Sequence, residues 1–295
     1  MKHTYLNILT LFVLAFLVLT PAFSQRESAN WYFGDYAGLN FNSGNPVPLN
    51  DGQLITKEGC ATISDTNGSL LFYTDGTTVW DRQHTIMPNG HDLLGHSSST
   101  MSALIIPKPG NSQSFYIFTI DKPSYFLTEG LPIDGVNYSE VNMALNNGFG
   151  DIVATNKNKH LITYDVNNAE QNEYKSSEKI TAVTHSDGST IWVITQFINK
   201  FYAFRVDENG VNETPVISTV SQAVYPRFNT DGSNITAIGY LKVSPDGKKI
   251  AIAHSSTIIG NPEDGTRKSG KVLLYDFNNS SGAVTNETTI LSDTY

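Results

Sequence analysis

The sequence predicts an all-β protein, a β-propeller of roughly six blades. Three observations carry that expectation. First, apolar strands recur in pairs joined by Asp-Gly or Asn-Gly turns: TISDTNGSLLFYT (62–74), VTHSDGSTIWVIT (183–195) and VSPDGKKIAIAH (243–254). Asp, Asn and Gly tolerate the positive φ angles that tight hairpins need. Second, Leu70-Leu71-Phe72-Tyr73 is apolar on both faces, which suits a sheet covered above and below. A sheet that recurs along a chain and is covered by its own copies is a propeller blade. Third, no long segment keeps the i, i+3, i+4 apolar period of a helix without a Gly, Pro or β-branched interruption.

The elements follow in order. Lys2, the apolar run Ile8 to Leu19 and Ala22-Phe23-Ser24 read as a signal peptide, residues 1–24, cleaved before Gln25. The run is short for a membrane span and Pro21 closes it. No Cys follows it, so a lipid anchor is not expected. Residues 25–295 then form one exported domain with no membrane span, passing the periplasm to the cell surface or medium. Trp31-Tyr32-Phe33 opens the first strand. Glu58 to Asp81 is the densest stretch. Ala61 and Ile63 lead into the turn Asp65-Thr66-Asn67-Gly68, Leu70 to Tyr73 lead out, and Asp75-Gly76 turns the chain before Val79 and Trp80.

A polar loop follows, and then IIPKPGNSQSFYIFTI (105–120), a looser copy with a Pro-Gly-Asn turn. Met143-Ala144-Leu145 starts at most one helical turn before Asn146-Asn147-Gly148. The Asp187-Gly188 and Asp246-Gly247 hairpins are each followed by an aromatic strand, an Asn/Gly turn and an Asn-Glu-Thr triplet. Those triplets, Asn212-Glu213-Thr214 and Asn286-Glu287-Thr288, are expected at equivalent places in two units, with Ile258 to Gly270 inserted in the second. At about 40–45 residues per blade, 25–295 holds roughly six blades. The last strand candidate, Thr288 to Leu291, leaves four residues after it. The expectation is an incomplete ring, a fragment of a propeller.

Composition excludes some functions. Net charge is −9, and loss of Lys2 with the leader makes it −10. Only Arg26, Arg82, Arg205, Arg227 and Arg267 supply guanidinium groups, and no basic cluster exists. Nucleic-acid binding is therefore not expected. Cys60 is the single cysteine, so no intrachain disulfide can form and the fold rests on its core. Cys60 reads as a small buried hydrophobe rather than a catalytic thiol.

Six segments together carry a resemblance: Asn30 to Phe41, Glu58 to Asp81, Met87 to Gly110, Tyr138 to Ile152, Glu178 to Ile194 and Gly239 to Ala253. They resemble the N-terminal propeller-like region of large exported Bacteroidota proteins. Those proteins commonly continue into PKD-type repeats and a C-terminal sorting domain of the type IX secretion and gliding system. The last segment also looks like a TolB or WD-type blade. This chain shows neither PKD repeats nor a sorting domain, and the resemblance implies no activity residue by residue.

Candidate chemistry was weighed against plainer roles. His84, His91 and His96 lie close together with Trp80, Asp81 and Asp92. Imidazole and carboxylate suit zinc, but the spacing matches no common ligand pattern. Trp80, Asp81, His84, His91 and His96 stand as binding candidates on a polar loop, with no metal and no cofactor expected. Ser97-Ser98-Ser99-Thr100 lacks a nucleophile elbow and reads as turn hydroxyls. Asp65-Thr66-Asn67-Gly68 and Asp207-Glu208-Asn209-Gly210 lack the distal Glu of a calcium loop. Ser186 to Trp192 resembles the Asp-box turn of sialidases, yet a sialidase needs clustered arginines. Asp65, Asp75, Asp187 and Asp246, with Gly68, Gly76, Gly188 and Gly247, are therefore read as structural turns. Of Trp31, Tyr32, Phe33, Tyr36, Trp80, Trp192, Tyr225 and Phe228, most are expected to fill the space between blades and some to line a sugar-binding rim.

The functional expectation is a non-enzymatic surface or secreted module for adhesion, binding a glycan or protein and associated with gliding or type IX secretion. The alternative is a carbohydrate-active or peptide-active propeller hydrolase, sialidase-like. Convergence of two carboxylates, or of a His and a nucleophile, in one funnel would separate them.

Overall fold

A computed structural model describes residues 26–123, 133–224, 237–255 and 270–294. Residues 1–24, expected to be a signal peptide, lie outside the described residues, as do Tyr225, Phe228, Arg227, Arg267 and residues 258–269 of the expected insertion. The protein is all-β, built of small antiparallel sheets whose strands follow chain order.

The first sheet holds β1 (Asn30–Phe33), β2 (Ala37–Asn40) and β3 (Val47–Leu49), and the second β4 (Ala61–Ser64), β5 (Leu70–Thr74) and β6 (Val79–Asp81). The third holds β7 (Ala103–Lys108), β8 (Asn111–Ile120) and β9 (Val136–Asn142), with β10 (Asp151–Ile152) and β11 (Lys159–Leu161) both on β9. The fourth holds β12 (Ile180–Thr184) and β13 (Ile191–Asp207), with β14 (Gly210–Val211) and β15 (Val216–Val224) on β13. The fifth holds β16 (Gly239–Val243), β17 (Lys249–His254), β18 (Gly270–Asn278) and β19 (Ala283–Thr294).

The described residues thus form five sheets where the blade period predicts about six. The third sheet absorbs five strands and β13 alone runs 17 residues, so each unit uses more chain than the period allows.

Alternation along the strands explains how the sheets stack. In a strand, successive side chains point to opposite faces. Tyr73 of β5 joins Tyr32, Leu54 and Trp80 between the first two sheets. Its neighbour Phe72 joins Met87, Phe115 and Ile117 between the second and third. Tyr116 and Phe118, interleaved with Phe115 and Ile117 on β8, pack against Val193, Tyr202 and Phe204 of the fourth sheet. Trp192 and Ile194, on either side of Val193, pack against Leu241, Ile250 and Ile252 of the fifth. Both faces of the inner sheets are therefore apolar, and four clusters glue five sheets in sequence. The first strands follow the same order: β1 lies against β4, β4 against β7, β7 against β12 and β12 against β16.

One α-helix, α1 (Ala169–Tyr174), is present among the described residues. Asn168 caps it by accepting from the Gln171 N–H, and Tyr174 is buried. Six residues give too little periodicity to be seen in the sequence. No helix among the described residues is long and apolar enough to cross a membrane. The two Asn-Glu-Thr triplets differ in setting: Asn212 to Thr214 links β14 to β15, whereas Asn286 to Thr288 lies within β19, with Asn286 at a positive φ of 53°. The glutamates nonetheless do similar work, Glu213 accepting from the Tyr138 hydroxyl and Glu287 from the Tyr275 hydroxyl.

Candidate functional site

The Asp-Gly hairpins hold their own turns. Asp65 Oδ1 accepts from the N–H groups of Asn67 and Ser69, and Asp75 Oδ1 from those of Thr77 and Thr78. Asp187 Oδ1 accepts from Ser189 and Thr190, and its Oδ2 meets Arg205 at 3.1 Å. Asp246 Oδ1 accepts from the Lys248 N–H and the Ser244 hydroxyl. The paired glycines take the left-handed conformation, Gly68 at φ 86°, Gly76 at 91°, Gly188 at 73° and Gly247 at 66°. The N–H groups of Thr190 and Ser189 hold the Asp187 carboxyl well below its ordinary range.

The loop after β6 sends its side chains to separate tasks. Trp80 is buried and stacks on Tyr73 at 5.5 Å. Asp81 is buried and accepts from the N–H groups of Gln83 and Thr85. His91 pairs with Asp92 at 2.6 Å, and His96 Nδ1 accepts from the Ser98 N–H. His84, at φ 61°, turns into the first interface. There the Tyr73 hydroxyl accepts from the Gln53 N–H and lies 3.1 Å from His84 Nδ1. That network directs the Tyr73 proton at Nδ1 and leaves Nε2–H facing Asp51 Oδ2 at 3.3 Å. Asp51 also accepts from the Tyr32 hydroxyl at 3.0 Å. Burial pushes the Tyr73 phenol up to about 12, so it stays protonated and fully buried as a lock between two sheets. Among the described residues, no three His, Cys, Asp or Glu converge as a metal-holding group. Cys60 donates to the Tyr32 carbonyl at 3.4 Å, and burial, followed by the Asp75 charge, pushes its thiol up to about 11. Both effects favour the protonated thiol.

A second constellation assembles where the first strands begin. Glu58 stands shortly before β4, Thr100 before β7, Glu178 and Lys179 directly before β12, and Ala237 before β16. Thr100 joins three sheets. Its N–H donates to Glu178 Oε2 at 2.9 Å, and its Oγ1 lies 2.8 Å from that oxygen and 3.4 Å from Glu58 Oε2. Ser98 donates to Glu58 Oε1 at 3.1 Å. The Glu178 N–H and the Lys179 ammonium both donate to the Ala237 carbonyl, at 3.1 and 2.7 Å. Polarity is graded: Glu58 is exposed, Thr100 half-buried, and Glu178 and Lys179 fully buried.

Burial sets the charges here. It raises the Glu178 carboxyl above its ordinary value, and lowers the Lys179 ammonium to about 7. It also holds His254, on β17, well below its ordinary value, with the Lys179 charge adding to the effect. Glu178 Oε1 and His254 Nδ1 are buried without a hydrogen-bond partner among the described residues. Gly239 lets these groups approach: a Cβ there would fall 2.8 Å from Lys179 Cε and on the Ala253 carbonyl. Sequence reasoning overlooked this centre. No local pattern marks it: two residues separate Glu58 from β4 of the second sheet, and Glu178-Lys179 precede β12 of the fourth, with the third sheet between them in sequence.

No protein-family model matches the chain, and no curated protein matches it. Solved structures similar to it include a hypothetical selenium-binding protein from Sulfolobus tokodaii, at 11% identity and a TM-score of 0.37 over 90% of this chain and 55% of that one. A functionally unknown protein from Desulfotomaculum acetoxidans aligns at 11% identity and a TM-score of 0.42, over 91% of this chain and 68% of that one. An α-L-arabinofuranosidase from Lactobacillus brevis aligns at 11% identity and a TM-score of 0.33, over 93% and 98%. This chain therefore spans 55% of the length of the first of them. All three scores lie below 0.5, so these likenesses bear on neither the fold nor the function of this chain.

Proposed function

We propose that the chain is a β-propeller segment of an exported surface or secreted protein, and that it holds a hydroxyl-rich glycan without transforming it. The serial stacking of sheets, with their first strands side by side, supports the propeller reading. One observation carries the binding reading: the Glu58–Thr100–Glu178 array, open to solvent at Glu58 and closed at Glu178. Carboxylate and hydroxyl acceptors at its solvent-facing end match the O–H donors of a sugar. Adhesion, gliding and type IX secretion follow from the resemblance to Bacteroidota surface proteins and belong to the same proposal.

A second reading has its own support. A buried carboxyl whose proton affinity burial raises, beside an exposed one, resembles the acid and base pair of a glycoside hydrolase. A sialidase is less well supported. Arg26 reaches Asn67, Arg82 covers Phe149 and Arg205 pairs with Asp187, so the described arginines disperse.

Binding of the whole chain to a panel of neutral and acidic glycans, with reducing-sugar release followed in parallel, tests both readings. Binding without release is expected. Glu58→Gln should weaken it roughly tenfold or more, the loss of a charge-assisted hydrogen bond, at unchanged melting temperature. Release that Glu178→Gln abolishes would replace the binding module with the hydrolase. Binding indifferent to Glu58→Gln would remove the site.

A further inference from the structure

The three inner sheets are each buried between two apolar clusters, whereas the first and last sheets contribute to one apiece. Each outer face carries an apolar stripe, which on the last sheet lies beside the Lys249–Asp276 pair. Register places Tyr240 beside Ala253, Ala253 beside Val272 and Val272 beside Leu291, an apolar stripe across all four strands of the last sheet. Tyr240 and Leu291 are 51% and 54% exposed. On the first sheet Trp31 pairs with Leu39, and Leu39 with Pro48. Trp31 remains 49% exposed and Phe33 37%. Monomers rarely leave such faces open without a use.

We propose that these two faces are complementary docking surfaces, and that the last sheet of one copy of this chain stacks on the first sheet of a second copy. The contact continues the interface the chain already uses four times, apolar sheet face on apolar sheet face. The receiving side is preformed. The Trp31 indole is fixed by donating to the Ser28 carbonyl at 2.9 Å and by packing on Phe41 at 4.8 Å. It borders a cavity of about 530 Å³, shared with Phe33, Leu39 and Ala61, that is open to an incoming Tyr240 ring. Charge agrees with the pairing: Lys242 lies over the Tyr240 ring on the last face, and Asp35 is exposed just beyond Phe33 on the first. The two faces differ, so the contact is heterologous, and it either closes into a ring of copies or propagates.

Light-scattering mass of the whole exported chain at rising concentration tests this. The mass should climb above that of one chain. Trp31→Glu and Tyr240→Glu should each leave a monomer with the wild-type melting temperature. An equimolar mixture of the two should then form a species of twice the monomer mass and stop, because each copy keeps one intact face and the intact faces are opposite. If either variant fails to fold, Phe33→Lys and Leu291→Lys interrogate the same faces. A wild-type chain that stays monomeric, variants that still assemble, or a mixture that stays monomeric would overturn the proposal; monomer throughout would assign the faces to a different occupant.

Discussion

Lys179 is an ionisable side chain held away from solvent. It is fully buried, donates to the Ala237 carbonyl and lies beside Glu178 and His254. Burial lowers its ammonium to about 7. Above that pH the folded protein holds the amine neutral while the unfolded chain still binds the proton. Stability from this group is therefore present at high pH and lost as pH falls through about 7. The melting temperature should rise from pH 7 toward pH 9, below the range where the raised Cys60 thiol begins to oppose it. Lys179→Met should flatten that rise, whatever it does to absolute stability. An unchanged slope in the variant would show that another group titrates there. Nothing local in the sequence marks Lys179, because its environment is made by Ala237 and His254, remote in the chain.

At the scale of elements, the hairpin turns were legible because their causes are local. An Asp accepting from backbone N–H groups two to four residues on, and a Gly at positive φ within the turn, need only five consecutive residues. The turns are not equal, however. Asp187 gathers two backbone donors, the Ser189 and Thr190 hydroxyls and Arg205, and is bonded at 2.8 Å to both N–H groups. Asp246 reaches its turn N–H only at 3.2 Å and pairs loosely with Lys248 at 3.8 Å. Asp187→Ala should therefore lower the melting temperature by a few degrees, and Asp246→Ala by clearly less. Differential scanning calorimetry of the two variants checks the order, and a reversed order would contradict the turn account. The histidine loop was the opposite case. His84, His91 and His96 are close in sequence, yet one turns into the Tyr32–Tyr73 interface, one pairs with Asp92 on the surface and one caps its own turn. Proximity in the chain does not fix side-chain direction in a loop with residues at positive φ such as His84 and Asp92.

At the scale of the whole molecule, the two-faced apolar strands announced stacked sheets, and β13 shows why: Trp192 and Val193, adjacent in sequence, enter clusters on opposite sides. The polar centre was invisible for the converse reason. Glu58, Thr100, Glu178 and His254 come from four different sheets or their lead-ins, and only the stacking order brings them together. The account therefore stands on Thr100 coupling the second, third and fourth sheets. The direct measurement is a double-mutant stability cycle with Thr100→Val and Glu178→Gln. Residues sharing a buried hydrogen-bond network should show a coupling of about 0.5–3 kcal/mol. Effects that simply add, to within about 0.5 kcal/mol, would mean that the two residues do not act together and that the centre described here is not a single site.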